Sequence, residues 1–209
     1  MIVKICGIQS KDTLLCCEKN NVNFFGMIFY SKSPRNITIE NAINLQRISK
    51  KYNINGVGVF VNKNINELEE IIKNIKLRFV QLHGSEDEKY IRRVKRCGVR
   101  IIKSISISKK DDLNEVDKYE NVDYFLFDYK PLKSELPGGN AKSFDWGLLN
   151  NLKLAKPWFL SGGININNIE QINDDINPYG IDLSSGVEKE LGIKDNRIIN
   201  NFIGKIKNA

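Results

Sequence analysis

Eight short runs of β-branched and aromatic residues, each followed by a longer polar stretch, constrain this chain more than any other feature. The runs fall at residues 2–5, 24–29, 57–61, 79–82, 101–103, 124–127, 158–160 and 180–183. Between them lie stretches with helical spacing, most clearly 41–52, 65–75, 87–97 and 196–206. Regular alternation of this kind implies parallel strands, because a parallel pair needs a long crossover that a helix supplies, and the crossover is right-handed. Fewer units would leave an open doubly wound sheet; eight can close. The expected fold is therefore α/β, a (β/α)8 TIM barrel with parallel strands, and the 209 residues suit one catalytic domain spanning 1–209.

In such a barrel the reactive groups come from the C-terminal ends of the strands and from the loops that follow, which converge on one mouth. Polar residues stand at those places. Cys6 ends the first run, His83 follows the fourth, Asp128 ends the sixth, Ser161 and Gly162 follow the seventh, and Ser184 to Gly186 follow the eighth. Residues two apart on a strand share a face, so Lys4 aligns with Cys6, Gln81 with His83 and Asp182 with Ser184. Lys103 is a further polar residue at a strand position. Each alone fits a satisfied structural network equally well, but as a set they point to a polar cavity inside the barrel. The one long connection, 129–143, carries Pro131, Pro137, Gly138 and Gly139, and a loop of that length in a compact domain is usually functional.

Composition narrows the function classes. The net charge of +7 favours an anionic partner, yet the lysines are spread along helix-like stretches among Asp and Glu and form no nucleic-acid motif. A small anionic substrate suits the charge better than a nucleic acid. No apolar run has the length of a membrane span and the N-terminus opens on a strand, so a cytoplasmic location is expected. The four cysteines lack metal-ligand spacing and read as free thiols; with His83 the single histidine, triads and zinc clusters are not expected.

Several stretches, in order from the first strand to the last, match one family. They are Lys4-Ile5-Cys6-Gly7; Phe29-Tyr30 through Ser33-Pro34-Arg35; Val57-Gly58-Val59-Phe60-Val61-Asn62; Gln81-Leu82-His83-Gly84; Phe127-Asp128 before a glycine-rich loop; Phe144-Asp145-Trp146; Leu160-Ser161-Gly162-Gly163; and Ser184-Ser185-Gly186-Val187-Glu188. Together they resemble phosphoribosylanthranilate isomerase over essentially the whole chain. The resemblance implies an Amadori rearrangement of N-(5-phosphoribosyl)anthranilate to an aminoketone, the third step from chorismate to tryptophan, with no cofactor and no metal.

That reaction needs an acid for the ring oxygen and a base for the C2 proton. Asp128 resembles the family's general acid and Cys6 its general base. An ordinary thiol, with a pKa of about 8.5, is only a few per cent thiolate at neutral pH, and Lys4 on the same face is expected to raise that fraction. Arg35 resembles the residue that holds the anthranilate carboxylate, a task for which a guanidinium fork is suited. Gly7, His83 and Asp182 are further substrate-binding candidates; His83 equally fits a structural hydrogen bond, and Asp182 either orients the site or pairs with Lys4. Two small-residue loops, Ser161-Gly162-Gly163 and Ser184-Ser185-Gly186, are the expected phosphate site.

The sixth loop departs from the family at Ala141, where glycine is usual, so its backbone path is expected to differ slightly. Competing readings are another phosphate-binding barrel enzyme, such as indole-glycerol-phosphate synthase or a histidine-pathway aminoaldose isomerase, and a non-catalytic basic binding protein. The synthase would call for catalytic lysine and glutamates at strand ends, the histidine-pathway isomerase for aspartate in place of Cys6. The only partner expected is a small sugar phosphate, and the absence of a long apolar surface stripe favours a monomer over a homodimer.

Overall fold

The computed structural model describes residues 1–132, 134–172 and 174–207. Eight parallel strands, β1 (Ile2–Cys6), β2 (Phe24–Ile28), β3 (Asn55–Phe60), β4 (Phe79–Leu82), β5 (Arg100–Ile107), β6 (Tyr124–Tyr129), β7 (Trp158–Leu160) and β8 (Gly180–Leu183), close into a barrel in chain order. Closure is made by β8 pairing with β1, in a register that sets Lys4 opposite Asp182. The expected barrel is thus present; three strands keep their expected bounds and four shift by only a residue or two.

The exception is β5, which runs four residues beyond the expected 101–103. Its extension contains Ser104 and Ser106, and polar residues on the inward face break the apolar run by which a strand is recognised.

α-Helices follow the first four strands and the last: α1 (Lys11–Lys19), α2 (Ile39–Ser49), α3 (Ile65–Ile75), α4 (Glu88–Lys95) and α5 (Asn196–Lys207). Ser10, Thr38, Asn64 and Asp87 cap the first four by accepting hydrogen bonds from first-turn amides. α3 shows why the helical spacing was legible: Leu68, Ile71, Ile72 and Ile75 form one buried stripe.

The crossovers after β5, β6 and β7 contain 3-10 helices instead, Lys110–Lys118, Trp146–Leu149 and Ile169–Gln171. The first of these buries only Asp112 and Leu113. Without an apolar stripe there is little to hold an α-helix against the barrel. Asp112 instead accepts from the amides of Ser108 and Lys109 and from the Ser108 hydroxyl, which tightens the turn. After β8 a small antiparallel hairpin, β9 (Glu188–Glu190) and β10 (Ile193–Lys194), precedes α5.

The barrel interior changes character along its axis. Near the N-terminal ends of the strands it is aromatic: Phe24 meets Phe79 edge-on with ring centroids 5.1 Å apart, and Phe159 lies 6.0 Å from Phe24 and 5.8 Å from Tyr124. Val57, Val59, Ile102 and Leu126 complete this inner cluster. Toward the C-terminal ends the same faces carry Lys4, Gln81, Ser104, Asp128 and Asp182, all buried. A packed apolar plug below and a polar mouth above leave one end for chemistry.

Lys103 is not part of that mouth. It lies between the inward-facing Ile102 and Ser104 and points to the helix layer, where it donates to the carbonyls of Leu82 and Gly84 and pairs with Glu86 at 3.2 Å. Glu86 in turn accepts from the amides of Asn62 and Gly84. The Lys103–Glu86 pair therefore ties together the loops after β3 and β4 from outside the barrel.

Candidate active site

A cavity with about 540 Å³ of empty space opens at the C-terminal mouth, lined among others by Cys6, Arg35, Gln81, His83, Asp128, Ser161, Asp182 and Ser184. Cys6 ends β1 and Asp128 lies near the end of β6. Two strands separate them on one side of the barrel and four on the other, so they enter the cavity from different sides.

Cys6 is buried, and Gly26 on β2 makes room for it: a β-carbon at residue 26 would lie 2.7 Å from Cys6 Sγ. Burial pushes the thiol pKa up; Lys4 and, less strongly, Lys194 pull it down without reversing the shift. The pull expected of Lys4 is thus present, but burial outweighs it. Burial is the larger cause, and the partner of Lys4, whose Nζ donates to Asp182 Oδ2 at 2.8 Å, adds to it. Asp182 offsets the lysine's charge at the thiol and disfavours the thiolate itself. Burial works against the Lys4 charge, but Asp182 and Cys6 outweigh it, and the lysine pKa lies above its ordinary value.

Asp182 has one oxygen on Lys4 and the other, Oδ1, buried and without a hydrogen-bond partner among the described residues. It lines both the main cavity and a smaller one beside it. The two alternatives open for this residue are therefore compatible, one for each oxygen.

Asp128 accepts a hydrogen bond from the Tyr129 amide through Oδ1 (2.8 Å), while Oδ2 lies 3.3 Å from His83 Nε2, close but not aligned as a hydrogen bond. The other ring nitrogen of His83 is 2.8 Å from Gln81 Nε2 and 3.0 Å from Ser104 Oγ. With the Gln81 amide so oriented, Nδ1 is the acceptor and the proton sits on Nε2, facing the carboxylate. His83 thus has both a structural hydrogen bond and a place on the cavity wall.

Arg35, in the loop after β2, is only 2% exposed although it lines the cavity. Its Nε and Nη2 donate to the two oxygens of Glu188 at 2.7 and 2.8 Å, and Nη2 also reaches the Gly139 carbonyl at 3.2 Å. Gly7, with φ of +82°, lies beneath the arginine stem, where a β-carbon would come within 2.8 Å of Cδ. It supports Arg35 and is not among the residues lining the cavity.

The adjoining cavity, with about 350 Å³ of empty space, is lined by Ser161, Gly162, Gly163, Ser184 and Ser185, together with residues 138–142 of the loop after β6. Gly162 and Gly163 adopt positive φ, which turns backbone amides in a way that favours anions. Gly186 does not line this cavity; a β-carbon there would meet the Ile164 carbonyl at 2.0 Å, so its part is to let the loops after β7 and β8 approach. The loop after β6 folds over both cavities, with Gly138 against His83 and Asp128 and Gly139 against Arg35.

Four contributors escaped the sequence reading: Gly26, Ser104, Lys194 and Glu188. Lys194 is buried and donates to the Ser184 carbonyl and to Glu188. It comes from a hairpin too short to carry a periodic signal, whereas Glu188 was visible within a matched motif but without a role. Among the described residues no cluster of three or more His, Cys, Asp or Glu could hold a metal.

The family model for N-(5'-phosphoribosyl)anthranilate (PRA) isomerase matches residues 3–205. A curated relative, N-(5'-phosphoribosyl)anthranilate isomerase of Brucella canis, is 39% identical over 99% of this chain and 94% of its own length. The crystal structure of phosphoribosyl anthranilate isomerase from Thermotoga maritima superposes with a TM-score of 0.89 at 31% identity, covering 100% of both chains. A further phosphoribosyl anthranilate isomerase, solved in complex with reduced 1-(o-carboxyphenylamino)-1-deoxyribulose 5-phosphate, has a TM-score of 0.84 and 30% identity, again over 100% of both.

Proposed function

The chain belongs to the N-(5'-phosphoribosyl)anthranilate isomerase family and is an aldose–ketose isomerase of tryptophan biosynthesis, and from that premise we propose which of its groups move the protons. Asp128 is the general acid: it delivers a proton to the ribose ring oxygen as the C1–O bond breaks, leaving C1 doubly bonded to the anthranilate nitrogen. Cys6, as thiolate, is the general base: it takes the C2 proton, and the C2–H electron pair moves toward C1 to give an enolamine. That species becomes the aminoketone as a proton leaves the C2 hydroxyl and another reaches C1. One proton is given and one taken, so the enzyme needs no co-reactant.

The observation that carries this reading is the entry of Cys6 and Asp128 into one cavity from separate sides of the barrel. The Tyr129 amide holds the Asp128 carboxyl, with His83 Nε2 standing beside it at 3.3 Å, and the free oxygen of Asp182 accepts from a sugar hydroxyl. Arg35 takes the anthranilate carboxylate. The phosphate lies in the adjoining cavity against the amides of the loops that hold Ser161 to Gly163 and Ser184 to Ser185, with Gly186 shaping the loop from behind. One catalytic domain spans 1–209 and works as a cytoplasmic monomer, without a nucleic-acid partner; among the described residues no helix is long and apolar enough to cross a membrane.

The test is a fluorescence assay that follows loss of freshly made phosphoribosylanthranilate by wild type, Cys6→Ser and Asp128→Asn. Removal of a general acid or base costs about 10²- to 10⁴-fold in kcat, and both variants should show a loss of that order with unchanged circular dichroism. Normal turnover in either variant would remove that residue from its role. A single concentration-independent species of monomer mass in sedimentation would support the monomer; a dimer would refute it.

A further inference from the structure

Arg35 presents two edges. The side edge, Nε and Nη2, is fully taken by the two oxygens of Glu188, in the fork-to-fork geometry that fixes a guanidinium in plane. The end edge, Nη1 and the second hydrogen of Nη2, turns toward the loop after β6, where the Gly139 carbonyl accepts from Nη2 and a β-carbon on residue 139 would lie 2.3 Å from Nη1. Only that end edge is free of a fixed carboxylate, so a ligand carboxylate must dock there.

Glu188 is itself held from several directions. Lys194 Nζ donates to Oε1 at 2.5 Å and the Gly192 amide to Oε2 at 3.0 Å, and its side chain is 4% exposed. Burial disfavours the charged glutamate, but Arg35 and Lys194 overcome this, and the carboxyl lies below its usual pKa. Glu188 faces Lys194 as well as Arg35, although burial pulls the Lys194 pKa below its ordinary value, so Arg35 is not the only base that answers this carboxylate.

The geometry points to Glu188 as the positioning residue that sets the enzyme's preference for an aromatic ring bearing a carboxylate, by clamping the side edge of Arg35 so that its end edge meets that group. This rests on Arg35 holding the anthranilate carboxylate. The substrate carboxylate then displaces the Gly139 carbonyl, while Glu188 stays in place. A flexible, unclamped arginine would lose more conformational freedom on binding and discriminate less.

The experiment compares two ligands in calorimetric titrations, 1-(2-carboxyphenylamino)-1-deoxyribulose 5-phosphate and the same compound without the ring carboxylate. Wild type should prefer the carboxylate by about 10- to 100-fold, as a two-point charged hydrogen bond gives. In Glu188→Gln the preference should fall about tenfold, with the affinity for the ligand lacking the carboxylate held within about twofold. Glu188→Asp, which keeps the charge but not the reach, should narrow it as well and serves as the deciding variant if Glu188→Gln does not fold. An unchanged preference, an enlarged one, or equal weakening of both ligands in a folded Glu188 variant would overturn the assignment to Glu188 alone. A preference that survives in Arg35→Met would overturn the underlying reading of Arg35, and this one with it.

Discussion

A β-carbon at Gly26 would meet Cys6 Sγ at 2.7 Å and the Cys6 backbone at 3.0 Å, so the thiol proposed as the base keeps its place only because β2 is bare at that point. Gly26→Ala should therefore push the sulfur aside. Displacement of a catalytic atom by about 1 Å costs on the order of 10²-fold; kcat should fall by that order while KM changes little, and a wild-type kcat would contradict the close approach. The thiol also sets the pH dependence. Its pKa is raised by burial, and on the proposed role, in which the thiolate is the base, kcat/KM should climb with pH into the alkaline range, beyond an ordinary thiol's value of about 8.5. Because Lys4 pulls in the opposite direction, Lys4→Met should move that limb further to high pH. At this scale the sequence was informative where chemistry and strand position coincide, as for Cys6, Asp128 and Asp182. It was silent where a residue acts through what it lacks, as at Gly26, or through a partner 153 positions away, as Glu188 does on Arg35.

Among the elements, the loop after β6 bears most on the proposed function, since it covers His83, Asp128 and Arg35 with glycine backbone. Its length and its Pro-Gly-Gly run made it visible in the sequence, but not what it covers. Ala141 holds a φ of +55°, the left-handed conformation that costs a residue with a β-carbon about 1–2 kcal/mol. Ala141→Gly should relieve part of this, offset by the greater freedom of glycine in the unfolded chain. The expected net effect is a gain of up to about 1 kcal/mol in chemical unfolding, and a clear loss would show that the methyl group has a packing role. The crossovers after β5 to β7 were illegible for another reason: Trp146–Leu149 and Ile169–Gln171 are too short, and Lys110–Lys118, though as long as α1, lacks the apolar stripe from which a helix is recognised.

For the whole molecule, the Lys4–Asp182 ion pair sits on the seam where the first and last strands close the barrel. Removing one member of a buried pair typically costs about 3–5 kcal/mol, so Lys4→Met should lower stability by that order, with its kinetic effect judged only below the lowered melting temperature. Acid should act through other groups. The carboxyls of Asp112 and Glu188 both lie below their usual pKa: burial opposes their charge, but Lys130 and turn hydrogen bonds at Asp112, and Arg35 and Lys194 at Glu188, prevail. Their contribution is complete above the unfolded values of about 4 and is lost as pH falls through the folded ones. The melting temperature should hold from neutrality to about pH 5 and decline below it; a flat profile down to pH 3 would count against these pairs. The closed barrel was legible because eight strand-and-crossover units leave little choice of topology; the Lys4–Asp182 pair was one of two alternatives open in the sequence, and the register that sets the two residues opposite each other brings it about.

The division of labour between the thiol and the carboxyl is tested most directly by single-turnover kinetics with substrate carrying deuterium at C2 of the ribose. The wild-type enzyme should turn over more slowly with the deuterated substrate, and Cys6→Ser should lose about 10²- to 10⁴-fold in the same step. Cys6→Ser that converts substrate at the wild-type rate with the wild-type isotope effect would show that another group removes the proton.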